Sequence, residues 1–422
     1  MDGFLERLAA RRRFGMKPGL ETIRALLSEL GSPERRVRAI HVAGTNGKGA
    51  FAAIADSVLR AAGKRMGRYT SPHLVRLNER FFLDGSPVCD ATLARHAARV
   101  SEAVEGDVRF SELTFFEALT AVAFSLYGEE SARSDRPLDY VALETGLGGR
   151  LDATNVCAPA VTAITRIGLD HCDWLGNTVE AIASEKAGIV KPGVPIVLGR
   201  NERSVRAVVE ARAKAVGAPF VYAPDVVAES EIPATFALGG TFNRENAVTA
   251  LAALRTLGAR DGFALDEDAV GRGLAAVAWP GRFQRIGRYI VDGAHNPPAA
   301  RALAESLKAT GGRYALVAGF CGDKDVAETL RILAPFATRG LAVRTTNPRS
   351  LSDAETARLM AGAGIAAKPA GTLADALAEL SRDGNEDVLV CGSLFLAGEA
   401  IVRLGAYPWG DARFDPSELL RA

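Results

Sequence analysis

The chain has 422 residues, 48% hydrophobic and 24% charged. This composition excludes a disordered chain, which could not bury enough apolar surface to offset its ordering entropy. At roughly 150 residues per domain, two or three domains are expected. The 51 Lys+Arg and 50 Asp+Glu leave a net charge of +1. The basic runs are short, Arg11-Arg12-Arg13 and Arg35-Arg36, and read as solvated helix ends or turns, so no nucleic-acid partner is expected.

The amino-terminal stretch MDGFLERLAARRRFG has no long apolar core and is not expected to be a secretory signal. No apolar run approaches the length of a membrane span. Cys89, Cys157, Cys172, Cys321 and Cys391 are scattered, without a CxxC pair. That usage argues against a disulfide framework or a structural zinc site and implies a cytoplasmic protein.

Strand-like and helical stretches alternate along the chain. Arg38 to Ala43 (RAIHVA) predicts a strand, followed by a glycine turn and a helix over Ala50 to Ala62. Met66 to Tyr69, Tyr140 to Leu143 and Val161 to Thr165 predict further strands. A second block holds strand candidates at Tyr289 to Val291, Tyr314 to Ala318, Gly340 to Arg344 and Asp387 to Val390. Helices are expected between them at Pro298 to Thr310 and Ala374 to Arg382. This alternation predicts an α/β fold with mainly parallel sheets, whose ligands bind at the carboxyl ends of the strands. The expected division is at Gly287, giving 1–287 and a smaller 288–422.

The segment IHVAGTNGKGA carries Gly44, Gly47 and Gly49 around Thr45, Asn46 and Lys48. Glycines let successive amides face a phosphate chain, Lys48 adds a point charge, and the following helix presents its positive end. An ordinary strand-to-helix turn is the alternative. The loop is not a strict Walker A, because Val42 replaces the first glycine and Gly49-Ala50 follow the lysine.

Glu144 follows the apolar YVAL strand, a placement that suits a hard cation or a capped, paired carboxylate. His171, flanked by Asp170 and Asp173, follows the next strand, and is a ligand or a surface residue. Ser71 lies in the polar turn YTSPH and alone reads as turn chemistry. Lys186, in ASEKAGIVKPG, alone reads as a solvated helical lysine. Asp323-Lys324-Asp325 reads as a helix cap, and Asp292 and His295, in VDGAHNP, as site candidates past a strand.

Taken in order, HVAGTNGKG, YTSPHLVRLNER, LTFFEALTAVAF, ETGLGGRLDATN, IGLDHCDWLGNTVEAIASEKAGIVKPG, AWPGRF, VDGAHNPPAA, GDKD and VCGSL resemble the folylpolyglutamate synthase/dihydrofolate synthase family of the Mur ligase superfamily. The resemblance runs from about residue 41 to residue 398. It implies an N-terminal P-loop-like ATPase domain and a smaller Rossmann-like C-terminal domain. The implied reaction is ATP-dependent addition of L-glutamate to dihydropteroate or a reduced folate through an acyl phosphate. By resemblance, Gly44 to Gly49, Asn246, Arg282 and Asp292 would bind ATP. Ser71, Glu144 and His171 would hold Mg2+, two ions in all. Lys48, His171 and a carbamylated Lys186 would be catalytic. Thr114, Phe115, Phe116, Glu117, Leu151, Asp152, His295 and Ser393 would bind the folate acceptor and glutamate. The implied enzyme is a monomer acting on small molecules.

Two positions depart from the family. Ala50 stands where Ser or Thr is usual, and Phe242-Asn243 where His-Gln is frequent. A bifunctional synthase is the leading reading, and a single-activity enzyme the alternative within the family. A Mur-type cell-wall ligase would carry a further N-terminal substrate domain, whereas 40 residues precede the loop. A silent nucleotide-binding paralogue is favoured by Ala50 alone and opposed by Glu144, His171 and Lys186.

Overall fold

The computed structural model describes residues 19–322, 325–382 and 386–410. The Arg11-Arg12-Arg13 run, Asp323 and Lys324 lie outside the described residues. Asp325 is described, and its carboxylate caps the helix Val326–Leu333 by accepting from the Glu328 N–H.

The first sheet is built from β1 (Arg38–Ala43), β2 (Met66–Tyr69), β3 (Phe81–Leu83), β4 (Ser86–Pro87), β5 (Tyr140–Glu144), β6 (Ala158–Ile164), β7 (Ile196–Leu198) and β8 (Phe220–Tyr222). Its order is β4-β3-β2-β5-β1-β6-β7-β8. The β3 pairings with β2 and β4 are antiparallel, and the others parallel. β1 and β5 are buried almost throughout, as expected for central strands covered on both faces. The helix Lys48–Ala61 covers one face and is itself covered by Thr241–Asp261 and Glu267–Ala276. That double cover explains why this helix has buried residues all round rather than on one stripe.

The second sheet contains β9 (Gln284–Ile286), β10 (Tyr289–Val291), β11 (Tyr314–Ala318), β12 (Ala337–Ala342), β13 (Ala367–Pro369) and β14 (Val388–Cys391), in the order β13-β12-β11-β14-β10-β9. Only β9 runs antiparallel, paired with β10. The expected division at Gly287 therefore falls in the β9–β10 turn, with Gly287 at φ +58°, and the second sheet starts at Gln284. β12 begins at Ala337 rather than at Gly340, and the chain leaves the ladder after Ala342. The helix after the glycine-rich loop starts at Lys48, two residues before Ala50, because Gly47 supplies the left-handed residue that turns the strand into the helix.

Candidate active site

Three adjacent strands deliver their carboxyl ends to one place. β1 lies between β5 and β6, with Val42 opposite Glu144 and Ala43 opposite Ile164. The strands stay parallel here, but their order reverses, later strands being added on opposite sides of β1, and that is the usual crevice of an open α/β sheet. The loop after β1 runs too close to its neighbours for side chains. A Cβ on Gly44 would lie 1.9 Å from Thr165 Oγ1, and one on Gly47 2.2 Å from Asn246 Oδ1. A Cβ on Gly49 would lie 2.1 Å from Trp279 Cζ2.

The helix Lys48–Ala61 starts here, and its first-turn N–H groups have no acceptor within the helix. With the helix dipole they form an anion-binding end. Thr45 and Asn46 do not follow the expected inward-facing pattern. Their N–H groups donate to the Arg166 carbonyl at 2.9 and 3.3 Å. Thr45 Oγ1 donates to the Gly168 carbonyl at 3.0 Å and accepts from its N–H at 3.1 Å. These bonds tie the glycine-rich loop to the segment after β6.

Two lysines meet on one carbonyl. Lys48 Nζ donates to Gly44 O at 3.0 Å and to Thr45 O at 3.3 Å, and lies 4.0 Å from Glu144 Oε1. Lys186, the last residue of the helix Val179–Lys186, donates to the same Gly44 O at 2.8 Å. Lys186 is 3% exposed, so its reading as a solvated lysine is overturned. Burial, and then the Lys48 charge, pull its ammonium down to about 7 against the opposing carboxylates of Asp170 and Asp152.

Glu144 is buried at the end of β5, and burial pushes its carboxyl up to about 7 despite Lys48, the Ser71 N–H, Arg282 and Arg80. The Ser71 N–H donates to Glu144 Oε2 at 3.0 Å, which brings these two expected ligands together. His171 stands in a left-handed conformation at φ 51°, its side chain 44% exposed and 4.0 Å from Asp170. Among the described residues, no three His, Cys, Asp or Glu side chains gather as a metal site. One carboxylate and one hydroxyl, completed by phosphate and water oxygens, nonetheless suit magnesium, which keeps much of its hydration.

The second sheet faces the first with Asp292, just past β10. Its carboxylate accepts from the Phe283 N–H at 2.8 Å and the Ala294 N–H at 2.7 Å. Burial raises its pKa, opposed by the Arg282 guanidinium. Asn296 Nδ2 donates to Asp170 Oδ2 at 3.1 Å, a direct bond between the loops of the two sheets. His295 Nδ1 pairs with the Gly293 carbonyl at 2.8 Å. Ser393 caps the helix Leu394–Arg403 by accepting from the Phe395 N–H at 3.1 Å.

The expected acceptor residues are engaged locally. Thr114 and Glu117 form a reciprocal capping box on the helix Phe115–Ser131. Phe116 lies against Gly146, where a Cβ would be 2.5 Å from its Cζ, and the Arg80 guanidinium sits 5.9 Å from the Phe115 ring. Leu151 is half-buried. Asp152 braces the loop after β5, accepting from the Leu147 N–H at 2.8 Å and the Thr154 N–H at 3.0 Å. Sequence reasoning passed over Trp279, Arg166 and the bridging role of Asp170. Trp279 lies inside the AWPGRF stretch, but its partner Gly49 is far away in the chain.

Comparison with known proteins identifies the family and the fold. The family described as Mur ligase, glutamate ligase domain, matches residues 281–394. The chain is 33% identical to the dihydrofolate synthase/folylpolyglutamate synthase of Bacillus subtilis, over 93% of this chain and 96% of that one. Escherichia coli FolC in complex with DHPP and ADP superposes with a TM-score of 0.83 at 31% identity, covering 96% of this chain and 97% of that one. The Yersinia pestis bifunctional folylpolyglutamate synthase/dihydrofolate synthase, complexed with AMPPNP and Mn, gives 0.80 at 32%, covering 95% and 96%. The chain belongs to the dihydrofolate synthase/folylpolyglutamate synthase family and carries its Mur-type α/β fold.

Proposed function

We propose that the protein is an ATP-dependent ligase that adds L-glutamate to dihydropteroate and to reduced folates. The carrying observation is the convergence of Lys48 and Lys186 on the Gly44 carbonyl beside the buried carboxyl of Glu144. A free carboxylate resists amine attack because oxide is a poor leaving group. Its oxygen attacks the γ-phosphorus of ATP and ADP leaves, giving an acyl phosphate. The glutamate amine then attacks the acyl carbon, phosphate leaves, and the amine loses a proton. Charge develops on oxygen in both steps, so preorganised cations and amides contribute most.

In this reading the loop Gly44 to Gly49 and the first-turn amides hold the phosphates. Lys48 swings from its loop carbonyls to the β/γ-phosphates. Asn246, Arg282 and Asp292 hold the nucleotide where the two sheets face each other. Glu144 and Ser71 would hold one Mg2+ and His171 a second, and such ions would supply charge neutralisation at the transferring phosphoryl group. Lys186 is poised for carbamylation, since its lowered pKa leaves neutral amine to react with CO2. Phe115, Phe116, Leu151, Asp152, Thr114 and Glu117 shape the acceptor site, and His295 and Ser393 the glutamate site.

The proposed division remains an ATP-binding part, 1–287, and a glutamate-ligase part, 288–422, and the start of the second sheet at Gln284, three residues before Gly287, supports it. The state proposed for the protein is a monomer acting on small molecules. The five free thiols support a cytoplasmic setting. No described helix is long and apolar enough to cross a membrane.

Mass spectrometry of the products tests the proposal. Incubation with ATP, Mg2+ and L-glutamate should add one glutamyl residue to dihydropteroate, and one or more to tetrahydrofolate. Product from one acceptor only would leave a single-activity synthase. Product from neither would overturn the assignment.

A further inference from the structure

His41 lies in β1, three residues before Gly44, fully buried and opposite Leu143 of β5 and Thr162 of β6. Its Nε2 is 2.8 Å from Thr154 Oγ1. That hydroxyl in turn donates to Asp152 Oδ1 at 2.5 Å. A threonine hydroxyl has one proton. Since Asp152 receives it, the contact with His41 requires the imidazole to donate through Nε2–H. This fixes the neutral Nε2–H tautomer, leaving Nδ1 as a bare lone pair. Nδ1 finds no hydrogen-bond partner among the described residues. Burial, reinforced by the Lys191 charge, keeps the ring neutral by lowering its pKa to about 3.

An unpartnered buried nitrogen is a cost that valine or leucine would avoid at a strand position serving packing alone. We infer that His41 is a positioning residue, which orients the Asp152 carboxylate through Thr154 and so sets the acceptor loop in register with the phosphate loop on the same strand. The chain of donors runs one way, from His41 to Thr154 to Asp152. It leaves Asp152 Oδ1 filled by Thr154 and turns Oδ2 towards the Leu147 N–H at 2.8 Å. The strand that carries the orienting donor continues into Gly44, so acceptor and γ-phosphate are referenced to one rigid element.

This inference rests on the proposed use of Asp152 in acceptor binding, and the test separates the two. Phosphate release is measured for wild type, His41→Gln, His41→Leu and Thr154→Val, with dihydropteroate and ATP varied in turn. Thermal unfolding confirms the fold of each variant. Gln keeps an N–H donor near the Nε2 position, whereas Leu removes it and Val removes the relay. His41→Leu and Thr154→Val should each raise the dihydropteroate KM about tenfold, the upper end of the scale for one lost neutral hydrogen bond. The ATP KM should stay within about twofold, as expected of an interaction acting on the acceptor alone. His41→Gln should stay near wild type, and the double variant His41→Leu/Thr154→Val should lose little more than either single one.

An unchanged dihydropteroate KM in folded His41→Leu would overturn the inference. So would an equal rise in both KM values, or His41→Gln failing as badly as His41→Leu. If His41→Leu does not fold, Thr154→Val decides by the same KM comparison. Wild-type protein without turnover on any folate acceptor would instead sink the proposed function, and the inference with it.

Discussion

Replacing Gly49 by alanine should destabilise the protein, although the position is helical. Gly to Ala in a helix interior normally stabilises by about 1 kcal/mol. Here the added Cβ would lie 2.1, 2.8 and 2.9 Å from three ring carbons of Trp279, well inside the optimal carbon separation of roughly 3.5–4.0 Å. The ring must move by more than an ångström. Trp279 leads into Pro280 and Arg282, and the Arg282 Nη1 lies 2.8 Å from where a Cβ on Gly293 would sit, next to Asp292. Overpacking of this kind costs about 1–3 kcal/mol, enough to cancel or reverse the helical gain. Gly49→Ala should therefore lower the unfolding midpoint by up to several degrees and weaken ATP binding about tenfold, read by titration calorimetry. Trp279→Leu in the same chain should recover part of the stability, giving a favourable coupling of about 1–2 kcal/mol. A Gly49→Ala protein more stable than wild type, with unchanged ATP affinity, would refute the packing argument.

Lys186→Ala should abolish ligation without rescue by bicarbonate, whereas wild-type activity should fall on CO2 depletion; an alanine variant with wild-type turnover would remove the lysine from the mechanism. Because burial lowers the Lys186 pKa from 10.5 to about 7, the folded state binds fewer protons than the unfolded state between those values. Its destabilising effect is full below about pH 7 and is relieved as pH rises towards 10.5, so Lys186→Met should stabilise the nucleotide-free protein most at the low end of a pH series of unfolding midpoints. Glu144 runs the other way, its pKa raised from 4.5 to about 7. Its cost grows as pH rises through that window and is full above it, so Glu144→Gln should stabilise the nucleotide-free protein at pH 8 by up to about 3 kcal/mol, and by little at pH 4. The same variant should flatten the magnesium titration of ATP turnover, and an unchanged titration would count against Glu144 as a ligand. Thr114→Ala removes one half of a capping box and should cost about 1 kcal/mol in denaturant unfolding, with ATP affinity unaltered.

Much of the architecture was legible because strands and helices alternate plainly. RAIHVA, YVAL and VTAIT are short, largely apolar and β-branched runs and mark the central strands β1, β5 and β6. The chain turns where the glycines stand, so the glycine-rich turn into the helix was readable as well. β9 was not, since two of its three residues, Gln284 and Arg285, are polar and it forms only an edge strand in a hairpin. β12 was misplaced because Thr338 and Arg339 at its start look like loop residues, yet they pair with Glu386 at the sheet margin. Lys186 was misjudged for a tertiary reason. Nothing in its helix signals burial, and only the return of that helix against Gly44 creates it. The same holds for Trp279 on Gly49 and for the bond between Asn296 and Asp170. Local pattern carries the elements, while the site depends on which loops the topology brings together.

Phosphate release from ATP, followed with Mg2+, L-glutamate and bicarbonate present, tests the central claim most directly. Dihydropteroate and tetrahydrofolate are each added as acceptor and each omitted. Release that requires glutamate and occurs with both acceptors is the expected result. ATP binding without acceptor-dependent release would contradict the account, and would mark the chain as a nucleotide-binding relative that no longer ligates folates.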